Sequence, residues 1–229
     1  MTVVHDGGSG AVLGMAVGGL LGPMRCGGMT AVAVDWLSPP GPLDVTIVGA
    51  GRQAFFQLWA LRAVRPVRRV QVVGRTPGSA ARFIDEVRTR LGLDAAEATP
   101  TDLAGGPPGD VVILATSSPT PVLDPERIRP GQLLVTVGPK QVGRSEFSAR
   151  LAQDADLVVT DSRAQVLGYH PPHVLADLAT EIVELASVAA SPNTDPAGQV
   201  GRAGSAGARV LFLNVALAGA EAALLHSVL

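Results

Sequence analysis

Lys140 is the only lysine in the chain, against seventeen arginines, and it lies in VTVGPKQVGR (135–144), just past an apolar run. An ammonium there can donate a proton or hold a carboxylate, and burial can bring its pKa down from about 10.4 toward neutrality. A solvated loop lysine is the alternative, and the sequence leaves both open. A second set of residues has a more specific pattern. Gly49, Gly51 and Ala54 in IVGAGRQA have the G-x-G-x-x-A spacing, between a β-rich run and a run with helical spacing. In that context the first glycine permits a tight turn and the second lets a pyrophosphate approach the backbone. The alanine lets the helix pack close to the strand. The helix N-terminus adds free N–H groups and a partial positive charge. The pattern predicts a dinucleotide site at Gly49, Ala50, Gly51, Arg52 and Gln53.

The cofactor type is read from the end of the second strand. NAD sites usually have an acid about 20 residues past the glycine loop, gripping the ribose. Here the chain reads VGRTPGS (73–79), with no acid. Arg75, Thr76 and Ser79 can bind a 2′-phosphate, for which an arginine fork is suited. NADP(H) is therefore expected in preference to NAD(H). His170 and His173 in HPPH lack a third ligand nearby, so no metal is expected. Asp161 is read as a cap for the segment that follows it. Cys26, Trp36 and Trp59 are read as core residues.

These residues need a scaffold. DVTIVG (44–49), VRRVQVVG (67–74), DVVILATS (110–117), QLLVTVG (132–138) and ADLVVTD (155–161) are apolar runs of strand length. Most are continuous rather than alternating, as strands buried on both faces should be. Helical stretches fall over 25–37, 52–64 and 77–92, the last with proline near its start and glycine at its end. Strand alternating with helix implies an α/β fold with a Rossmann-type doubly wound parallel sheet and right-handed crossovers. SPPGP (38–42) is a breaker and a candidate boundary. The chain divides into 1–37, a dinucleotide-binding domain over 38–168, and a C-terminal helical segment over 169–229. Residues 11–24 are read as a buried strand and turn, since they follow an acid and carry four glycines. Residues 190–207 are long for a loop, which implies mobility or function. Residues 209–229 are apolar nearly all round and are read as a helix buried in the fold or against a second copy.

Composition excludes several classes. A net charge of −2 offers no basic surface for nucleic acid, and 3% aromatic residues offer few stacking platforms. The apolar run 11–24 is too short to span a bilayer. One cysteine cannot form an internal disulfide and suits a reducing compartment, so the cytoplasm is the expected location.

The chain resembles the ornithine cyclodeaminase/mu-crystallin family. The resemblance rests on MRCGGMTAVAVDWL (24–37), VTIVGAGRQAFFQLWALRAVRPVRRVQVVGRTP (45–77), LATSSPTPVL (114–123), VGPKQVGRSEF (137–147) and LFLNVALAGAEAAL (211–224). It implies NADP(H) or NAD(H) and hydride transfer at a carbon bearing an amine or imine beside a carboxylate. Arg25 matches the arginine that holds the substrate carboxylate, a role suited to a bidentate fork. Ala115, Thr116, Ser117 and Ser118 fall where the nicotinamide and its ribose should lie, and Val137 and Gly138 against the nicotinamide face. Glu221 matches a family acid that lines the site or the subunit contact.

Two departures follow from the same resemblance. The N-terminal part of the substrate and dimer region is expected either to be reduced, leaving a region built from both termini, or to precede the start of this sequence. The cyclodeaminase motif V-G-x-D, whose aspartate is the catalytic acid/base, reads V-G-P-K, with Lys140 in the acid's place. An ammonium would repel the iminium of cyclodeamination but can protonate an imine nitrogen as hydride arrives. The resemblance thus implies an NADP(H)-dependent oxidoreductase acting on a small imine, 2-oxo acid or amino acid, with Lys140 and Arg25 as catalytic residues. The apolar C-terminal run makes a homodimer the expected assembly, with neither nucleic acid nor membrane as a partner. Ornithine cyclodeamination to proline, and NADPH binding without catalysis, are the alternatives.

Overall fold

The computed structural model describes residues 1–98, 106–190, 207–217 and 219–227. The chain opens with an antiparallel hairpin, β1 (Thr2–His5) and β2 (Val12–Ala16), and then helix α1 (Leu21–Leu37). The alternation follows: β3 (Leu43–Val48), α2 (Arg52–Val64), β4 (Val67–Val73), α3 (Pro77–Leu91), β5 (Ala95–Glu97), β6 (Val111–Leu114) and β7 (Leu133–Thr136). A small hairpin, β8 (Lys140–Gln141) and β9 (Arg144–Ser145), precedes α4 (Arg150–Gln153), β10 (Leu157–Thr160) and α5 (Arg163–Leu167). The last elements are β11 (Val183–Glu184), α6 (Leu185–Ala190), β12 (Val210–Leu213) and α7 (Ala220–His226).

The large sheet has the order β11-β10-β12-β7-β6-β3-β4-β5, with every pairing parallel. It is the expected doubly wound Rossmann-type sheet. From β3 the chain winds outward through β4 and β5, then returns to lay β6 and β7 on the other side. The order reverses between β3 and β6, which opens a crevice at their carboxyl ends.

The local sequence explains the elements. β6, β7 and β12 are buried at every position, as continuous apolar runs require. In α3, Thr76 and Ser79 form a reciprocal capping box, Pro77 takes the first turn, and Gly92 closes the helix in the left-handed conformation. Val34, Leu37, Leu58, Leu61, Phe83 and Val87 of α1, α2 and α3 cover one face of the sheet. Leu123, Phe147, Leu151, Val166 and Ile182 cover the other. Each such side chain stabilises the fold by about 1.5–3 kcal/mol relative to exposure.

Three expectations are corrected. Residues 209–229 are not one helix: Val210–Leu213 is strand β12, between β7 and β10, and only 220–226 is helical. A short apolar run has no periodicity to separate buried strand from buried helix, and here the ladder between two parallel strands takes it. The 169–229 segment likewise includes β11 and is not helical throughout. Residues 11–24 do hold the expected strand, β2, but it is not buried, because Val12, Leu13, Met15, Val17 and Leu20 are exposed, and α1 begins at Leu21. Most of the expected loop over 190–207 lies outside the described residues. The two termini do meet, since α7 packs on β1, β2 and α1.

Candidate functional site

Gly49 stands at the end of β3 with φ +122°, and a Cβ there would lie 2.3 Å from the Ala115 carbonyl oxygen. Only glycine allows β3 and β6 to close on each other this tightly at the reversal point. Three residues later α2 begins. Its N-cap, Gly51, supplies no side-chain cap, and its first turn has no acid, so the leading N–H groups face the crevice uncapped. The crevice is a cleft of about 840 Å³. Gly49, Ala50, Gly51, Arg52 and Gln53 line it from the first β-α turn, and Arg75 and Ser79 from the second. Ala115, Thr116, Ser117, Ser118, Val137 and Gly138 line it from the ends of β6 and β7. These residue types fit a dinucleotide: a bare helix N-terminus for pyrophosphate, an exposed arginine beyond β4, and small side chains along the floor. Thr76, expected in the same set, is not among the lining residues; its hydroxyl accepts from the Ser79 N–H and caps α3.

Beyond Gly138 the chain turns through β8 and β9, and this hairpin carries Lys140. Lys140 is not a solvated loop lysine. It is 2% exposed, and its Nζ donates to the Gly138 carbonyl at 2.7 Å. Burial pushes its pKa down to about 8, while the charges of Glu146, Asp161 and Cys26 oppose that fall. His173 is buried too, and its Nδ1 accepts from the Leu175 N–H at 3.0 Å. Burial, and then the Lys140 charge, push its pKa down to about 4. The Tyr169 ring meets the His173 ring edge-on at 5.3 Å. Burial raises the Cys26 thiol, which the neighbouring Arg25 charge partly offsets.

Arg25 lies in α1 with its Nε 2.6 Å from a Glu221 carboxylate oxygen of α7, and its Nη1 donates to the Leu217 carbonyl at 3.5 Å. Glu221 therefore meets the expected carboxylate clamp itself. Asp161 does not cap the next helix; Ser162 does. The Asp161 carboxylate instead accepts from the N–H groups of Val215 and Leu217, at 2.8 Å each. Asn214 donates to the Cys26 carbonyl and the Thr30 hydroxyl. Asp161 and Asn214 thus tie the end of β12 to β10 and to the helix bearing Arg25.

Sequence reasoning passed over Glu146. It is fully buried between the ends of β6 and β7. One oxygen accepts from the Thr116 N–H (2.9 Å) and hydroxyl (2.8 Å), the other from the N–H groups of Val137 (3.1 Å) and Gly138 (2.6 Å). Its only signal was an acid next to last in VGPKQVGRSEF, too short a clue to reveal the turn that brings it back.

Comparison with known proteins agrees with this fold. Residues 1–190 match the ornithine cyclodeaminase/mu-crystallin family. A Δ1-pyrroline-2-carboxylate reductase from Burkholderia ambifaria is 35% identical over 138 residues, 60% of this chain and 43% of that protein. The structure of Thermococcus litoralis Δ1-pyrroline-2-carboxylate reductase with NADH and L-proline superposes with a TM-score of 0.80 at 26% identity, covering 98% of this chain and 72% of that one. The iminosuccinate reductase of Paracoccus denitrificans with NAD+ gives 0.81 at 25% identity, covering 99% and 68%. The chain spans about half the length of the curated relatives it matches.

Proposed function

The chain belongs to the ornithine cyclodeaminase/mu-crystallin family, and on that footing we propose that it is a nicotinamide-dependent reductase of small imines that bear a carboxylate. The observation that carries the reading is a dinucleotide-shaped cleft with a buried Lys140 directly behind its Gly138 wall, Nζ donating to the Gly138 carbonyl. The relatives named above as reductases of cyclic imine carboxylates and of iminosuccinate support the substrate class.

A bound dihydronicotinamide would supply hydride to the imine carbon. The chain's own residues do the rest. The uncapped N-terminus of α2 and Gly51 hold the pyrophosphate. Thr116, Ser117, Ser118, Val137 and Gly138 form the floor for the nicotinamide and its ribose. Arg25 draws in the substrate carboxylate, with Glu221 fixing the guanidinium from one side. Lys140 gives a proton to the nitrogen as the carbon accepts hydride, so that C=N becomes CH–NH. An ammonium there disfavours cyclodeamination, because it repels an iminium in a closed site.

NADP(H) is the proposed cofactor, since Arg75 and Ser79 line the cleft just beyond β4 and no acid takes their place. The proposed assembly is a homodimer, with the exposed apolar edge of β2 as its seam. No described helix is long and apolar enough to cross a membrane, and the cytoplasm is the proposed compartment. Fluorescence titration with NADPH and NADH tests the cofactor assignment. Arg75→Ala should weaken NADPH binding about ten- to a hundredfold, the worth of a charge-assisted contact, and leave NADH nearly unchanged. Equal losses for both would contradict the 2′-phosphate role.

A further inference from the structure

We propose that Glu146 is a positioning residue of the reduction site: it clamps the two strand ends that form the nicotinamide floor and, through Gly138, fixes the lysine. The inference rests on the reductase reading but concerns a residue that touches neither cofactor nor substrate in that reading.

The geometry is specific. All four donors to the Glu146 carboxylate belong to Thr116, Val137 and Gly138, and all three residues line the cleft. Oε2 holds the end of β6 and Oε1 the end of β7. The Thr116 hydroxyl is used up in this way, because it also accepts from the Ser118 N–H at 3.1 Å. Gly138 is shared: its N–H donates to Glu146 and its carbonyl accepts from Lys140 Nζ. A shift of the carboxylate therefore moves the floor and the lysine together. Glu146 is delivered by the β8–β9 hairpin, on which Lys140 pairs with Ser145, and its own N–H donates to the Pro139 carbonyl at 2.9 Å. Its carbonyl accepts from the Val122 N–H at 2.9 Å, so the carboxylate has little freedom to withdraw.

A buried carboxylate with four donors fills its acceptor sites by the ordinary inventory. An amide cannot replace it. Whichever way the amide introduced by Glu146→Gln is turned, its NH2 group meets at least one backbone N–H donor, and two on the β7 side. The electrostatic consequence falls on Lys140. Glu146, Asp161 and Cys26 favour its charge, while burial and the neighbouring His173 environment make up the rest of its surroundings.

Because Lys140 is the only lysine, biosynthetic labelling with isotope-enriched lysine places one signal in the NMR spectrum. The experiment compares parent and Glu146→Gln in two readouts, the pH titration of that signal and the affinity for NADPH. The expected result is a lysine midpoint lower by about one pH unit or more and NADPH binding weakened about tenfold. Glu146→Asp keeps the charge and shortens the reach; it should restore the midpoint but not the affinity. A folded Glu146→Gln protein with both quantities unchanged overturns the proposal. If Glu146→Gln does not fold, Thr116→Val, which removes one donor, should weaken NADPH binding about threefold or more, and unchanged affinity then overturns it. The lysine titration needs no substrate. Failure of the parent to bind either nicotinamide nucleotide would count against the reductase reading instead.

Discussion

Lys140 and His173 share one buried environment, and each makes a pH prediction with a sign. The Lys140 pKa falls from 10.5 unfolded to about 8 folded, so the unfolded chain binds more protons between those values. Stability should therefore rise as pH rises from about 8 to about 10.5, through this group alone. Over the same window the lysine loses the proton it would donate, so kcat/KM for imine reduction should fall above about pH 8. The opposed trends separate a catalytic role from a stability effect, and Lys140→Met should flatten the stability trend and abolish turnover. For His173 the folded value is about 4 against 6.5. The stability it contributes is complete above pH 6.5 and is lost as pH falls toward 4. Thermal midpoints measured across that range should drop in the parent and drop less in His173→Gln.

Among the elements, the contact of α1 with α2 is the one on which Arg25 depends. A Cβ at Gly27 would lie 2.2 Å from the Phe56 carbonyl oxygen, so the two helices touch backbone to backbone. Gly27→Ala should cost about 3 kcal/mol by overpacking, read from the urea midpoint. It should also weaken substrate binding more than cofactor binding, because α1 carries Arg25 and α2 begins at the cleft. Strands β3, β6, β7 and β10 and the glycine loop were legible because they rest on continuous apolar runs and on a turn that tolerates few residues, whereas the short β5 was not. Strand β12 was not legible, since VLFL has no period and its partners, β7 and β10, lie far off in sequence. The same limit hid Glu146. Its role arises from a two-residue hairpin and from backbone donors, neither of which leaves a pattern in side-chain types. Thr76 shows the converse: a hydroxyl in the expected place is spent on capping a helix.

On the scale of the molecule, β1 and β2 form a hairpin apart from the large sheet, held by α7. Val12, Leu13 and Met15 expose their side chains along β2, an apolar edge of the kind that pairs with a second chain. Sedimentation analysis should find a dimer, and Val12→Asp combined with Met15→Asp should give a monomer of near-parental cofactor affinity. A parent that sediments as a monomer at all concentrations would remove the seam. The claim on which the rest depends is hydride delivery to an imine carbon, and isotope transfer tests it most directly. NADPH deuterated at C4 is incubated with the protein and Δ1-pyrroline-2-carboxylate, and the product is examined by mass spectrometry and NMR. Proline carrying deuterium at C2 is expected, with one NADPH oxidised per product, and loss of turnover in Lys140→Met. Tight NADPH binding with no labelled proline, and none from other imine carboxylates, would contradict it.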